Sequence, residues 1–160
     1  MKPLILVVED SASQRYLLSK LLSFRLGYDV VEAENGIEAL QKIAEDKEQK
    51  IVAVLLDLEM PEMDGREALP KILALRPALP IIVVTATDSI TEVVDVMKLG
   101  AVDFLMKPPD IELVKASLTK AIKIKALQEE VDRLTREKEG QHAFTDIIGY
   151  DSDLKTVTKL

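Results

Sequence analysis

The sequence has 160 residues, of which 48% are hydrophobic, and its formal net charge at pH 7 is −7. This length and composition predict one folded domain with a buried core, followed by additional chain. The sequence contains no cysteine, which excludes disulfides and thiolate metal sites, and one histidine, His142, which excludes sites built from several histidines. The negative charge argues against direct nucleic-acid contact and suits a cationic metal or a basic partner.

The N-terminal stretch does not have the pattern of a secretory signal. Its apolar run is short, acidic residues follow at once, and no cleavage site of small residues is present. No segment approaches about 18 uninterrupted apolar residues, the length that a membrane span requires. We therefore expect a cytoplasmic protein without a membrane segment.

Apolar runs rich in β-branched residues alternate with amphipathic stretches along the chain. The runs are Leu4–Val8, Tyr28–Ala33, Ile51–Leu56, Ile81–Val84 and Val102–Met106. The amphipathic stretches are Ala12–Phe24, Ile37–Ala44, Arg66–Leu75 and Ser89–Leu99. Strands that alternate with helices predict an α/β fold, a doubly wound five-stranded parallel sheet with helices on both faces.

Local signals mark several helix ends. Gly27 and Gly100 stand where left-handed C-terminal caps are expected, and Asp88 and Asp110 where N-caps are expected. Pro70 lies inside a helical pattern, where it removes a backbone hydrogen bond. The pattern is compatible with a bend at Pro70 or with a helix that begins only there.

A long helical segment begins at Ile111 and meets no helix breaker until Gly140. Within residues 124–139, Ile124, Leu127, Val131 and Leu134 are spaced alternately by three and four residues. This spacing predicts a short coiled-coil linker and, since an isolated helix would leave the seam exposed, a homodimer. Residues 140–160 form no complete element and are predicted to begin a further, truncated domain.

Charged and hydroxyl side chains follow four of the five predicted strands. Glu9 and Asp10 follow the first, Asp57 the third, Thr85 the fourth and Lys107 the fifth. Because the carboxyl ends of parallel strands share one edge, we expect these residues to converge there. Each one alone could be a helix cap, a strand-end residue or a solvated surface residue, but their joint placement favours a functional site.

These residue types suit phosphoryl transfer. Clustered carboxylates repel one another, and a hard divalent cation such as Mg²⁺ relieves that repulsion, with the backbone carbonyl of Glu59 as a further ligand. Asp57 could then attack phosphorus and form an aspartyl phosphate. Lys107 would neutralise a phosphoryl oxygen and Thr85 would donate a hydrogen bond to another.

The motifs VVEDS, LLDLEMPEMDG, VVTA and FLMKP resemble, in this order, the receiver (CheY-like) domain of bacterial two-component response regulators. The resemblance covers about Lys2–Lys125, and it implies the strand order 2-1-3-4-5, a receiver domain at residues 1–123 and a cis Lys107–Pro108 bond. It also implies that a histidine kinase phosphorylates Asp57. The roles it implies for other residues are Mg²⁺ binding by Glu9, Asp10, Asp57 and the Glu59 carbonyl, phosphoryl contacts from Thr85 and Lys107, and an inward turn of Phe104 on phosphorylation.

The segment FTDIIGYDSDLKTV resembles the start of the AAA+ ATPase domain of NtrC-like transcriptional activators. No G-x-x-x-x-G-K-[ST] phosphate loop occurs, so we expect no ATP hydrolysis by this chain. The resemblance predicts the N-terminal part of a regulator that controls transcription through a downstream AAA+ domain. We expect no enzymatic activity beyond its own phosphorylation and dephosphorylation.

Phosphorylation is expected to shift the receiver between two conformations and to change the partner preferred by the face formed by the fourth helix, fifth strand and fifth helix. That face and the linker are the expected dimer contacts. Two alternatives remain open. The chain could be a stand-alone receiver that acts by protein docking, or a phosphatase of the haloacid dehalogenase type, although that family places a second aspartate where this sequence has Glu59.

Overall fold

The computed structural model describes residues 2–86 and 88–141 and contains one parallel five-stranded sheet with the order β2-β1-β3-β4-β5. The strands are β1 (Leu4–Val8), β2 (Asp29–Ala33), β3 (Ile51–Leu56), β4 (Ile81–Thr85) and β5 (Asp103–Met106). The helices are α1 (Ala12–Lys20), α2 (Gly36–Glu45), α3 (Gly65–Leu75), α4 (Ile90–Leu99) and α5 (Ile111–Gln141). The predicted α/β fold class and the strand order are confirmed.

Both faces of the sheet are buried, which explains why its strands are continuously apolar. Alternate residues of each strand, such as Leu6 and Val8, pack with α2, α3 and α4 on one face. Their neighbours, such as Ile5 and Val7, pack with α1 and α5 on the other. Because both faces are buried, polar side chains of the sheet region lie at the carboxyl edge of the strands.

The predicted left-handed C-terminal caps are confirmed, since Gly27 and Gly100 have φ angles of 77° and 118°. The predicted N-cap at Asp110 is confirmed as well, because its Oδ1 accepts the N–H of Glu112 at 2.8 Å. The Asp88 prediction is wrong by one residue. Because α4 begins at Ile90, Ser89 is its N-cap.

Pro70 lies within α3, so a helix that begins only at Pro70 is excluded. Asp64 caps α3 by accepting the N–H of Glu67 at 3.0 Å, and this cap sets the start of the helix at Gly65. Helix α1 is shorter than predicted, because the chain continues as a π-helical segment at Leu21–Arg25.

The chain divides into two compact units, Met1–Lys125 and Ala126–Leu160. In the second unit, the predicted seam residues Leu127, Val131 and Leu134 are exposed, and Ile124 of the first unit is exposed as well. Within the predicted segment 140–160, residues 142–160 lie outside the described part of the chain. No described helix has both the length and the apolar character that crossing a bilayer demands.

Gly65 allows the start of α3 to approach the end of β3 closely. Its N–H donates to the carbonyl of Leu58 at 2.9 Å, and a Cβ at this position would lie 2.4 Å from the carbonyl oxygen of Asp57. The backbone fixes the positions of both the Cβ and the carbonyl oxygen, so rotation of a side chain cannot relieve this contact. Gly65 is therefore required by packing.

We expect Gly65→Ala to lower the free energy of unfolding by about 1–3 kcal/mol, because the loop after β3 must move. Urea unfolding followed by circular dichroism measures this change. Gly27→Ala is the control, since its Cβ would meet nothing within 4 Å and only the positive φ causes strain. Amide NMR signals of residues 57–59 should shift in the Gly65 variant and stay in place in the control; unchanged signals in both would contradict the close approach.

Candidate functional site

The backbone of the central sheet continues into the loops that carry the predicted site. The N–H of Asp57 donates to the carbonyl of Val8 at 3.0 Å, which places the residue after β3 beside the end of β1. The N–H of Lys107 donates to the carbonyl of Thr85 at 2.9 Å in the same way at β4 and β5. The strand ends are thus held side by side by hydrogen bonds of the ladder type.

Three predicted carboxylates form one cluster at this edge. An oxygen from each of Glu9, Asp10 and Asp57 lies within 4.8 Å of an oxygen of the other two. Glu9 and Asp57 are buried, with 4% and 5% of their surface exposed, whereas Asp10 is exposed. The cluster is therefore open to solvent on the side of Asp10.

Lys107 links two of these acids across the sheet. Its Nζ donates to Glu9 Oε1 at 2.6 Å and to Asp57 Oδ2 at 3.2 Å. Burial alone would lower the pKa of Lys107, but the hydrogen bond to Glu9 and the negative charges of Asp57 and Glu9 outweigh it and raise the pKa above its ordinary value. Lys107 is consequently a cation at neutral pH.

Glu9 is fixed by more contacts than its ion pair. Its Oε2 accepts the backbone N–H of Ser11 at 3.0 Å, and its backbone carbonyl accepts a hydrogen bond from Arg15 Nη1 at 2.7 Å. Arg15 Nε in turn donates to Glu32 Oε1 at 3.1 Å. These bonds tie the turn between β1 and α1 to the side chain of Glu9 and to β2.

The cluster fits a hard divalent cation. All its donors are carboxylate oxygens, the ligand type that Mg²⁺ and Ca²⁺ prefer. Three carboxylates and the ammonium of Lys107 together carry a formal charge of minus two, which a dication would balance. Because Asp10 is exposed, water can reach the cluster and supply additional ligands.

The other predicted site residues lie at or near the same edge. Thr85 is fully buried at the end of β4. Glu59 is exposed, and its N–H donates to Asp57 Oδ1 at 3.4 Å. Phe104 is half-buried on β5, pairs in register with Val83 and packs against the core on the α2–α4 face. The peptide bond between Lys107 and Pro108 is cis, as the resemblance implies.

One contact at the site was not anticipated from the sequence. Gln14 Oε1 accepts a third hydrogen bond from Lys107 Nζ at 2.7 Å. Gln14 lies in the first turn of α1, directly after the loop with Glu9 and Asp10. Its position near the edge could have been noticed, but no sequence pattern indicates that its side chain reaches across to the loop after β5.

Comparison with known proteins agrees with this architecture. Residues 5–132 match the family described as Response regulator receiver domain. The chain is 42% identical over 118 residues to the transcriptional regulatory protein ZraR of Escherichia coli strain K12, covering 74% of this chain and 26% of ZraR. It is 40% identical over 119 residues to the chemotaxis protein CheY of Listeria monocytogenes, covering 74% of this chain and 98% of CheY.

A solved structure is similar over a comparable share of the chain. The crystal structure of NtrX from Brucella abortus superposes with a TM-score of 0.74 at 28% identity, covering 84% of this chain and 30% of NtrX. The chain spans about a quarter of the length of ZraR, the curated relative named above. The match to the receiver family over most of the sequence removes the support for a haloacid dehalogenase. On its sequence and its fold, the chain belongs to the response regulator receiver domain family.

Proposed function

We propose that Asp57 accepts a phosphoryl group from a histidine kinase and that this modification switches the output of a transcriptional regulator. The observation that carries the proposal is the ion-paired cluster: Lys107 Nζ lies 3.2 Å from Asp57 and 2.6 Å from Glu9, at the carboxyl edge of a receiver sheet. Receiver domains act with histidine kinases, and ZraR is named as a transcriptional regulatory protein.

The proposed reaction is a transfer to a carboxylate oxygen. An electron pair of Asp57 forms an O–P bond, while the bond from phosphorus to the donor's imidazole nitrogen breaks and its electron pair leaves with the imidazole. The charge on the transferred group stays close to the Lys107 ammonium, which neutralises one phosphoryl oxygen, and the Thr85 hydroxyl donates to another. Burial of Asp57 limits competition from water.

Mg²⁺ is the proposed cofactor, held by Glu9, Asp10 and Asp57 together with the backbone carbonyl of Glu59. When bound, the ion would supply positive charge that lowers the repulsion between the carboxylates and an incoming phosphoryl group. The protein's own part is to fix these oxygens: the N–H of Ser11 holds the Glu9 carboxylate, and Arg15 holds the backbone carbonyl of the same residue. This ligand set agrees with the all-oxygen donors of the cluster.

In the proposed switch, a movement at Thr85 is coupled to a movement of the Phe104 side chain. A hydrogen bond from Thr85 to the phosphoryl group would draw the loop after β4 toward Asp57, and Phe104 on the neighbouring strand would turn inward. Phe104 is half-buried and packs against the core in this structure, so a second position needs only a local rearrangement. Phosphorylation then shifts the population between two states.

The proposed output is a change in homodimer contacts. Several large apolar side chains of the first unit are exposed on α4, on β5 with the residue before it, and at the start of α5, namely Val94, Met97, Val102, Met106 and Leu113. The exposed seam Ile124, Leu127, Val131 and Leu134 offers a second contact. We propose residues 1–123 as the receiver, 124–139 as a coiled-coil linker and 140–160 as the start of an AAA+ domain, with no direct nucleic-acid contact from these residues.

A stand-alone receiver that acts by docking is the second candidate. The observation in its favour is the likeness to Listeria CheY, because the alignment covers 98% of that protein. The two candidates share the chemistry at Asp57 and differ in the role of the helix beyond Lys125.

The phosphoacceptor prediction is tested with a small phosphodonor such as acetyl phosphate and Mg²⁺, followed by intact mass spectrometry. The wild-type chain should gain the mass of one phosphoryl group. Asp57→Asn should gain none, because the amide is not a nucleophile of comparable strength. The matched control is Asp95→Asn, a conservative change at an exposed position of α4, which should behave like wild type. A phosphorylated Asp57→Asn chain would contradict the assignment.

The metal prediction is tested by calorimetric Mg²⁺ titration of the unphosphorylated chain. Asp10→Asn and Asp57→Asn should each weaken Mg²⁺ binding by about tenfold or more, since each removes a charged oxygen ligand from a small site. Asp29→Asn, at the start of β2 and at the opposite end of the sheet, should leave the affinity unchanged. Equal affinities for all four proteins would place the ion elsewhere.

The dimer prediction is tested by sedimentation of the full chain and of a version that ends at Lys125, the limit of the first compact unit. The full chain should associate more tightly, because only it contains the complete seam. Leu127→Asp should weaken association by burying a charge at the seam. Gln128→Ala, an exposed neighbour outside the seam, should not. Monomers throughout, with and without phosphorylation, would favour the stand-alone receiver.

A further inference from the structure

The ammonium of Lys107 is fully engaged by three acceptors. A lysine has three N–H donors, and the structure pairs them with Glu9 Oε1, Gln14 Oε1 and Asp57 Oδ2 at 2.6, 2.7 and 3.2 Å. Of these three acceptors Gln14 alone is uncharged. The contact to the phosphoacceptor is the longest of the three, although a negative carboxylate attracts an ammonium more strongly than an amide oxygen does.

We propose that Gln14 is a positioning residue that restrains Lys107 on the α1 side of the site and keeps its ammonium from closing fully onto Asp57. This inference rests on the proposed phosphoacceptor function of Asp57. A lysine drawn tightly against the Asp57 carboxylate would occupy an oxygen that must attack phosphorus. Held at 3.2 Å, the same lysine remains close enough to neutralise the phosphoryl group once it arrives.

The backbone around Gln14 is well suited to this task. Its N–H donates to Ser11 Oγ at 3.4 Å as part of the N-cap of α1, so Gln14 belongs to the first, capped turn. The next residue, Arg15, donates to the carbonyl of Glu9 at 2.7 Å. The N-cap residue Ser11 therefore links the two acceptors, because its N–H donates to Glu9 Oε2 at 3.0 Å and its Oγ accepts the N–H of Gln14.

The charge of the acceptor is not essential to this mechanism, but its position is. A carboxylate of the same length at position 14 would reach the same point and would hold the ammonium at least as firmly. A thioether of similar length accepts hydrogen bonds only weakly and would release it. The variants Gln14→Glu and Gln14→Met therefore separate the position of the acceptor from the size of the side chain.

The kinetic test measures the rate constant of phosphorylation by acetyl phosphate at saturating Mg²⁺, with intact mass as the readout. Gln14→Met should phosphorylate about 3–10-fold more slowly, the loss expected for one hydrogen bond. Gln14→Glu should remain within about threefold of wild type, since it restores the acceptor. Gln41→Met, an exposed glutamine on α2, is the matched control and should equal wild type.

A second readout needs no phosphodonor and no metal. The side-chain ¹⁵N signal of the Lys107 ammonium should be observable in the wild type and in Gln14→Glu, because three hydrogen bonds slow its exchange with water. The signal should broaden in Gln14→Met. Urea midpoints should be the same for all variants, since Gln14 is exposed and its loss leaves the core intact.

The outcomes separate this inference from the proposed function. A wild-type chain that is phosphorylated on Asp57, together with a Gln14→Met variant of equal rate and sharp ammonium signal, overturns the role of Gln14 alone. An equal loss of rate in Gln14→Met and Gln14→Glu overturns it as well, because the restored acceptor would then have no effect. A wild-type chain that is not phosphorylated overturns both proposals.

Discussion

The ion pairs of Lys107 with Glu9 and Asp57 are the interaction on which the site depends. The lysine is separated from these acids by 98 and 50 residues in the sequence, and only the sheet order brings the three together. Two carboxylates that are each about 95% buried would repel strongly without a cation between them. The lysine reduces that repulsion enough for the folded chain to hold both, while the cluster keeps an excess of negative charge for a further cation.

The sheet fixes the positions of the site residues, and the loops after the strands contribute most of the charged side chains. Strands β1 and β3 are neighbours at the centre of the sheet, and the bond from the Asp57 N–H to the Val8 carbonyl prolongs their ladder by one residue. The bond from Lys107 to Thr85 does the same for β4 and β5. Residues placed one position beyond a buried strand are thus tied to the neighbouring strand by the same kind of backbone hydrogen bond as the strand itself. A residue farther along any of these loops would lack that support.

Much of this arrangement could be predicted because it follows from local patterns. Apolar runs identify the buried strands, and a charged residue at the end of a run must lie at the sheet edge. What could not be predicted depends on details beyond the pattern. The N-cap of α4 is Ser89 and not Asp88, a shift of one residue. Helix α3 starts at Gly65 and continues through Pro70, and the reach of Gln14 to the lysine depends on side-chain conformation.

The length of the side chain at position 9 gives this site a property of its own. One carboxylate oxygen of Glu9 accepts a hydrogen bond from Lys107 Nζ and the other accepts the N–H of Ser11, so both oxygens have donors within the protein. A cation that takes one of them must replace a hydrogen bond of about the same strength, and the bond to Lys107 is the one whose donor has other acceptors. If the proposed Mg²⁺ takes the oxygen that Lys107 contacts, the ammonium still has Asp57 and Gln14 as acceptors. The proposed cation site and the position of the lysine are in this way coupled through Glu9, and Gln14 is the uncharged acceptor that the ammonium retains.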